Sequence, residues 1–157
     1  MMRRGTHTLL ATAKETGAGF TGSSAAAYTH AAVTVTVRES EAKPYDESVI
    51  PALVEVNIDE TFTGDIEGDS HARALQVRHD DQSASMVSVQ RVRAKLGERK
   101  GTFVLQGSEN IANGRITATW FVVPGSGTGA LARLRGRGGF EGAFGKQSEA
   151  TLDYWFE

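Results

Sequence analysis

One carboxylate in this sequence lies where a hydrophobic side chain is expected. The segment 54–62 alternates between two faces, and one of them carries Val54, Val56, Ile58, Glu60 and Phe62. Such alternation predicts a strand whose apolar face is buried. A carboxyl group buried among apolar side chains has a raised pKa and can serve as a general acid or hydrogen-bond donor. Glu60 is therefore the first candidate catalytic residue.

Glu60 and a tyrosine near the end of the chain each allow two interpretations. Because Glu60 lies close to the turn predicted at residues 63–65, its carboxylate could instead be hydrated at the end of the strand. Tyr154 could fill the core with its hydroxyl satisfied there, or it could orient a substrate. We assign Glu60 and Tyr154 as the candidate catalytic residues, and both interpretations stay open.

Further candidates come from taking the less charged face of each predicted strand as the inward face. The candidate substrate-binding residues are Phe62, Ser70, Gln76, Ser88, Gln90, Gln106 and Trp120. Phe62 and Trp120 would shape a ligand, Glu60 would protonate or polarise it, and Gln90 would orient it together with Tyr154. Small residues on the inward face of the segment 66–76 leave room opposite them.

No metal site is predicted. Four histidines occur, at His7, His30, His71 and His79, and none has metal-ligand spacing. The chain contains no cysteine, which excludes disulfides, thiolate nucleophiles and cysteine-bound metals.

A glycine-rich run, VVPGSGTGAL at residues 122–131, imitates a phosphate-binding turn. Gly125, Gly127 and Ala130 fit the G-x-G-x-x-G/A spacing of dinucleotide sites. Such a site requires a crossover helix to a parallel strand, and here glycine returns at Gly136 after little more than one helical turn. No Lys-Ser or Lys-Thr pair follows the last glycine, as a phosphate loop requires. We therefore predict a structural corner with a short helical turn, and no cofactor.

The elements that must position these residues are strands. Eight segments are predicted, joined by short polar or glycine-containing turns: 32–38, 54–63, 66–76, 86–97, 101–106, 115–123, 139–144 and 149–156. Sequential strands with such links predict an all-β fold, a closed eight-stranded antiparallel barrel without exposed sheet edges. Residues 1–27 lack periodicity and are predicted to be a flexible N-terminal tail, and residues 28–157 a single barrel domain.

Composition narrows the class of protein. The chain has 157 residues, a net charge of −2 and 39% hydrophobic residues, which indicates a globular protein that does not bind nucleic acid. No segment approaches the roughly 20 apolar residues of a membrane span, so we expect a cytoplasmic protein without membrane association. The outward faces include the apolar residues Leu75, Val77, Phe121, Val123 and Trp155. We expect these to support a homo-oligomer, a dimer or trimer.

Four motifs occur in an order that resembles a known bacterial family. They are the run at residues 122–136, FTGDIEG at 62–68, GTFVLQ at 101–106 and LDY at 152–154. Over residues 31–157 the chain resembles domain of unknown function 3224, whose members are similar in fold to allene oxide cyclase and dirigent barrels. The resemblance implies such a barrel, with the glycine run crossing its end. The chain departs from the family pattern at Gly107, Ala130 and Arg133, where the family often has a histidine, an acidic residue and a glycine, so any active site that uses those groups is changed here.

Three functions follow from a barrel of this size. Eight strands enclose an interior that is either filled by side chains or able to hold one small ligand. The first function is a cofactor-independent cyclase or isomerase acting on a hydrophobic, unsaturated metabolite, because holding a reactive conformer can lower a barrier by about 7 to 11 kcal/mol. The alternatives are a non-catalytic carrier of a hydrophobic small molecule and a solid barrel that acts as an assembly module.

Overall fold

The described part of the chain forms nine strands and one short 3-10 turn. The computed structural model describes residues 5–12 and 23–157. The strands are β1 (Gly5–Thr12), β2 (Ser23–Asp46), β3 (Ala52–Gly64), β4 (Ile66–Asp80), β5 (Ser83–Leu96), β6 (Arg99–Ala112), β7 (Arg115–Val122), β8 (Leu134–Ala143) and β9 (Gln147–Phe156). The 3-10 turn is Gly129–Leu131. Within the described residues, no helix has the length and hydrophobicity needed to cross a bilayer.

Eight of these strands form a closed ring. Each strand from β2 to β9 pairs with the next in antiparallel fashion, and β2 also pairs with β9, from Thr29 with Tyr154 to Thr36 with Gln147. The ninth strand, β1, pairs with the first part of β2 and lies outside the ring. The structure therefore confirms the predicted all-β, closed eight-stranded antiparallel barrel with one helical turn.

The predicted N-terminal tail, residues 1–27, is covered only in part by the structure. Residues 1–4 and 13–22 lie outside the described residues. Within the remainder, Gly5–Thr12 forms β1, and β2 begins at Ser23. No strand was predicted there because this stretch of Thr, Ala and Ser lacks the alternation of apolar and polar residues that marks a strand with one buried face.

Alternation along the barrel strands follows directly from closure. On β5 every second residue from Ala84 to Leu96 is buried, and the basic residues Arg91 and Arg93 between them are exposed. A closed sheet has one face toward the interior and one toward water, and successive side chains of a strand point to opposite faces. Apolar residues therefore alternate with polar ones along each strand. The basic residues Arg91 and Arg93 thus lie on the outer face of the strand.

The interior holds two apolar clusters, one toward each end of the barrel. The cluster at the end that we call the closed end includes Phe62, Phe103, Trp120, Leu131, Leu134, Leu152 and Tyr154. In this cluster Phe62 and Trp120 are stacked, with 6.2 Å between their ring centroids. The cluster toward the opposite end, called the open end, consists of Val54, Val56, Ala74, Ala84, Met86, Ile111 and Ile116. Phe140 packs against both clusters.

The glycine-rich run seals the closed end. Ser126 Oγ accepts a 3.0 Å hydrogen bond from the Val104 amide, and the Thr128 amide donates to Thr102 O at 2.8 Å. Leu131 in the 3-10 turn is fully buried. A Cβ atom at Gly127 would lie 1.9 Å from Leu131 O, so only glycine fits that approach. The run is a structural corner, as predicted, and the amides of Ser126 and Thr128 bond within the protein.

Apolar side chains also occur on the outer surface. Leu75 is 52% exposed and Phe121 43% exposed, whereas Val77, Val123 and Trp155 are half-buried. Large exposed apolar groups are frequent at subunit contacts. Self-association stays a prediction, and sedimentation velocity at micromolar concentration measures it.

Candidate functional site

A cavity of about 140 Å³ lies in the open end of the barrel. It reaches the surface where β2 leaves β9: their pairing ends at Thr36 and Gln147, and the register of β2 against β3 then shifts between Val37 and Glu39. The apolar part of its wall includes Val56, Met86, Ile116, Phe140 and Phe144. The barrel is therefore solid at the closed end and hollow at the open end.

Polar side chains of four neighbouring strands point inward between the two apolar clusters. We call them the polar belt: Glu60 on β3, Ser70 on β4, Ser88 and Gln90 on β5, and Glu109 on β6. Ser70 Oγ donates a 2.7 Å hydrogen bond to Gln90 Oε1, and Ser88 Oγ donates to Glu109 Oε1. Four of the five line the cavity, and Ser70 supports Gln90 from outside the wall. The belt brings hydrogen-bonding groups into an otherwise apolar chamber.

The structure places Glu60, which is half-buried, in the wall of the cavity. Burial, and after it the negative charge of Glu109, raise the pKa of Glu60 to about 7. No basic side chain forms an ion pair with Glu60 within the part of the chain that is described. The carboxyl group is therefore close to half-protonated at neutral pH.

Glu109 is the second carboxyl group of the cavity, and the sequence analysis missed it. Its side chain is buried, with a residue exposure of 5%. Burial raises its pKa to about 7, against the opposing effect of the Ser88 hydrogen bond. The other carboxyl oxygen, Oε2, is buried and has no hydrogen-bond partner. A buried polar atom without a partner is costly, and a ligand in the cavity could satisfy it.

Glu109 was missed because the fifth predicted strand ended too early. The sequence Gly-Ser-Glu-Asn at 107–110 has the composition of a loop, so the strand was predicted only over 101–106, whereas β6 continues to Ala112. The signal was present, since Leu105, Gly107, Glu109 and Ile111 continue the period-2 pattern. Extending the strand along this pattern would have identified Glu109 as an acid on an inward face, as it identified Glu60.

The same error explains the wrong placement of Gln106. This residue was predicted to line the interior, but it is exposed on the outer face of β6. The inward positions of β6 are odd-numbered and include Phe103, Leu105 and Glu109. With only six residues in the predicted strand, the less charged face could not be identified reliably by polarity. Gln106 does not belong to the site.

Three aromatic candidates lie in the closed-end cluster and not in the cavity wall. Phe62 and Trp120 stack on each other, and Trp120 Nε1 donates a 3.0 Å hydrogen bond to Thr151 O. Tyr154 is 6% exposed and meets Phe156 edge-on at 6.1 Å. They were correctly predicted to face inward, but the sequence could not show at which end of the barrel the space would remain. The structure assigns them to the core, so the roles proposed for them in shaping and orienting a ligand do not fit this cavity.

Gln76 is buried, as predicted, but acts behind the cavity wall. It accepts a 2.8 Å hydrogen bond from Arg78 Nε through its Oε1 atom. Arg78 itself lines the cavity and was not predicted. Arg78 lies two residues beyond Gln76 on the same inward face of β4. It was not predicted because the predicted strand ended at residue 76.

The site suits proton transfer. Two carboxyl groups with pKa values near 7 face one cavity. Because their negative charges repel each other, the pair holds on average about one proton near neutral pH and offers one acid and one base together. The described residues contain no group of three or more His, Cys, Asp or Glu side chains placed to hold a metal ion.

Known proteins similar to this chain agree with the fold. A family model described as "Protein of unknown function (DUF3224)" matches residues 31–154. Among solved structures, the chain is similar to the crystal structure of a protein of unknown function from the DUF3224 family of Shewanella oneidensis MR-1. The identity is 27% and the TM-score 0.66, over 83% of this chain and 98% of that chain. No curated protein matches this chain.

Proposed function

This chain belongs to the DUF3224 family of unknown function, and we propose that it is a cofactor-independent isomerase or cyclase that moves a proton on a compact, hydrophobic, unsaturated metabolite. One observation carries the proposal: Glu60 and Glu109 face the same largely apolar cavity, and burial raises the pKa of each to about 7. General acids and bases are most effective when their pKa lies near the working pH. The pair needs no further group to supply both functions.

The proposed reaction exchanges one proton for another. The ionised carboxylate of the pair removes a proton from carbon next to a double bond or carbonyl group, and the protonated partner donates its proton at the other end of the conjugated system. The substrate loses and gains one proton, so it is isomerised without an oxidant or reductant. The two carboxyl groups have then exchanged protonation states, and a proton passing between them restores the start. Gln90, which accepts the hydrogen bond from Ser70, lines the cavity on a strand between those of the two acids and orients the substrate.

The size of the cavity limits the substrate. An engineered apolar cavity of about 150 Å³ in another protein holds benzene, and the cavity here is about 140 Å³. Long lipid-like chains therefore do not fit this barrel as it stands, whereas a single small ring or a short branched chain does.

A carrier is the second candidate function, and the unpartnered Oε2 atom of Glu109 favours it. That atom could accept a hydrogen bond from a ligand that is only stored. A carrier needs the cavity and one polar anchor, but it does not need two carboxyl groups of matched pKa. The two functions therefore differ in whether Glu60 and Glu109 are both required.

Deuterium exchange separates the candidates. The protein is incubated in D₂O with small cyclic enones, short unsaturated acids and their saturated analogues, and mass spectrometry follows deuterium uptake on carbon. For an isomerase, the wild type accelerates uptake, and Glu60→Gln or Glu109→Gln reduces the rate by about 10² or more. Glu67→Gln, on the outer face of β4, is the matched control and should leave the rate unchanged. Saturable binding without accelerated uptake would identify a carrier instead.

A further inference from the structure

Arg78 is an arginine built into the wall of the cavity. It lies on β4 in the inward phase, is half-buried, and lines the same chamber as the polar belt. Its Nε atom donates a 2.8 Å hydrogen bond to Gln76 Oε1. A guanidinium group bonded through Nε keeps its two terminal nitrogens for another partner.

Gln76 holds this guanidinium group from a fully buried position. It is 2% exposed, and its register neighbours on β3 and β5 are Val54 and Met86. The Nε2 atom of Gln76 contacts only the sulfur of Met86, at 3.7 Å. Burying an amide in an apolar cluster is costly unless its polar atoms are bonded. The hydrogen bond from Arg78 is therefore the stronger of the two that Gln76 makes. It fixes the position of the cationic guanidinium group in the cavity wall.

The guanidinium group has no carboxylate partner. Among the described residues, no Asp or Glu lies within ion-pair distance of Arg78. Lys146, in the turn between β8 and β9, also lines the cavity and has no acidic partner within residues 5–12 and 23–157, whereas Glu41 at the mouth pairs with Lys43 at 3.8 Å. The mouth of the cavity therefore has two cations without partners, one of them fixed by a buried side chain.

We infer that the ligand of this cavity carries a carboxylate, which Arg78 binds, and that the substrate class is a compact unsaturated carboxylic acid. A planar guanidinium fork matches a carboxylate in geometry and charge. With the carboxylate at Arg78, the apolar body of the acid packs against Met86, Ile116 and Phe140, which line the same chamber. The inference rests on the proposed function for the reaction, while the binding of a carboxylate stands on Arg78 and Gln76 alone.

Binding should also depend on pH through the groups that face the ligand. These are Glu60 on β3, Glu109 on β6, Glu41 on β2, Arg78 on β4 and Lys146 after β8. Above neutral pH, Glu60 and Glu109 become anionic and repel the carboxylate group of the ligand. A carboxylate probe should therefore bind more weakly at pH 8.5 than at pH 6, whereas a neutral probe of the same shape should show a smaller change.

Isothermal titration at pH 6 tests the inference with three probes of similar size, each a phenyl ring with a one-carbon polar substituent: benzoate, benzyl alcohol and benzylamine. For the wild type we expect benzoate to bind about tenfold more tightly than benzyl alcohol or better, since a charge-assisted hydrogen bond adds at least that much. Arg78→Gln should remove the preference, and Arg78→Lys should retain part of it. Gln76→Leu should weaken benzoate selectively, because the charge remains but its position does not. Arg91→Gln, on the outer face of β5, is the control.

Several results would overturn the inference. They are equal affinity for benzoate and benzyl alcohol, tighter binding of benzylamine, no saturable benzoate binding, or full benzoate preference in a folded Arg78→Gln variant. If Arg78→Gln fails to fold, Arg78→Lys and Gln76→Leu decide the question through the same ratio. The result is distinguishable from a failure of the proposed function, because deuterium uptake into neutral enones depends on Glu60 and Glu109 and not on Arg78.

Discussion

Ser88 on β5 donates its hydroxyl hydrogen to Oε1 of Glu109 on β6, and the residue opposite Ser88 in the sheet register is Gly107. A Cβ atom at position 107 would lie 2.7 Å from Glu109 Oε1 and 2.9 Å from Ser88 Oγ. Both distances are shorter than real contacts allow. The hydrogen bond that fixes Glu109 therefore depends on glycine at a strand position where a larger side chain would be better for pairing.

The first prediction concerns this glycine. Gly107→Ala should displace the Glu109 carboxyl group and break its bond with Ser88, which we expect to lower the free energy of unfolding by about 1 to 3 kcal/mol. Urea denaturation measures the change. Ser108→Ala, on the exposed face of the same strand, should cost less than about 0.5 kcal/mol. Equal effects at the two positions would show that Gly107 has no special relation to Glu109.

The second prediction is that stability falls as pH rises from about 4.5 to about 7. Burial raises the pKa of Glu60 and Glu109 to about 7 from an ordinary value of 4.5. The folded state therefore binds protons more tightly than the unfolded chain between these pH values, and stability decreases from about pH 4.5 to about pH 7. Each carboxyl group should contribute about 1 to 3 kcal/mol to the loss. Glu60 is half-buried whereas Glu109 is 5% exposed, so solvent screening should bring the contribution of Glu60 nearer the lower value.

Denaturation at pH 5, 6, 7 and 8 measures this dependence. In the double variant Glu60→Gln and Glu109→Gln, the decrease should be much smaller, so the variant should be more stable than the wild type at pH 8. Glu67→Gln on the outer face is the control, and its profile should match that of the wild type. A double variant with the wild-type pH profile would show that the two acids are not buried as the structure has them.

The architecture could be predicted from the sequence because closure of the sheet makes alternation the dominant signal. The eight predicted strands correspond to β2 through β9, and segments such as 54–63 coincide with their strands almost to the residue. The inward and outward faces were assigned wrongly where the polarity of the residues does not indicate which face is buried. In β6 the inward face carries Gly107 and Glu109, so the strand looked like a loop after Gln106 and its faces were exchanged.

The position of the cavity could not be predicted, because it depends on how side-chain volumes add up across strands. Phe62, Trp120 and Tyr154 come from three strands that are distant in sequence, and together they fill the closed end. Opposite them, Ala72 and Ala74 on β4 leave space in the open end. Each strand alone shows only that a residue faces inward. Which inward residues share a layer follows from register and stagger, which the sequence does not state.

The third prediction separates two kinds of glycine in the corner. Gly127→Ala should lower the free energy of unfolding by about 3 kcal/mol or more, because the new Cβ atom would collide with backbone at Leu131 O, which cannot move freely. Gly125 has φ of 79° but open space around it. Gly125→Ala should therefore cost only about 1 to 2 kcal/mol of backbone strain. Thermal denaturation ranks the two variants, and the reverse order would contradict the packing of the corner.

The fourth prediction distinguishes the two ends of the barrel by function. Ala74→Leu adds side-chain volume to the wall of the cavity, so it should weaken binding of a benzene-sized probe at least about tenfold. The fold should be retained, because the added atoms occupy existing space.

Trp120→Phe in the closed end should instead lower stability and leave probe binding nearly unchanged. It removes the hydrogen bond to Thr151 O and part of the stacking with Phe62, and it should cost about 1 to 3 kcal/mol of stability with little change in probe affinity. Titration with the probe, paired with urea denaturation of each variant, gives both quantities. If Trp120→Phe weakened binding while Ala74→Leu did not, the ligand would occupy the closed end, and the assignment of Glu60 and Glu109 to the site would have to be abandoned.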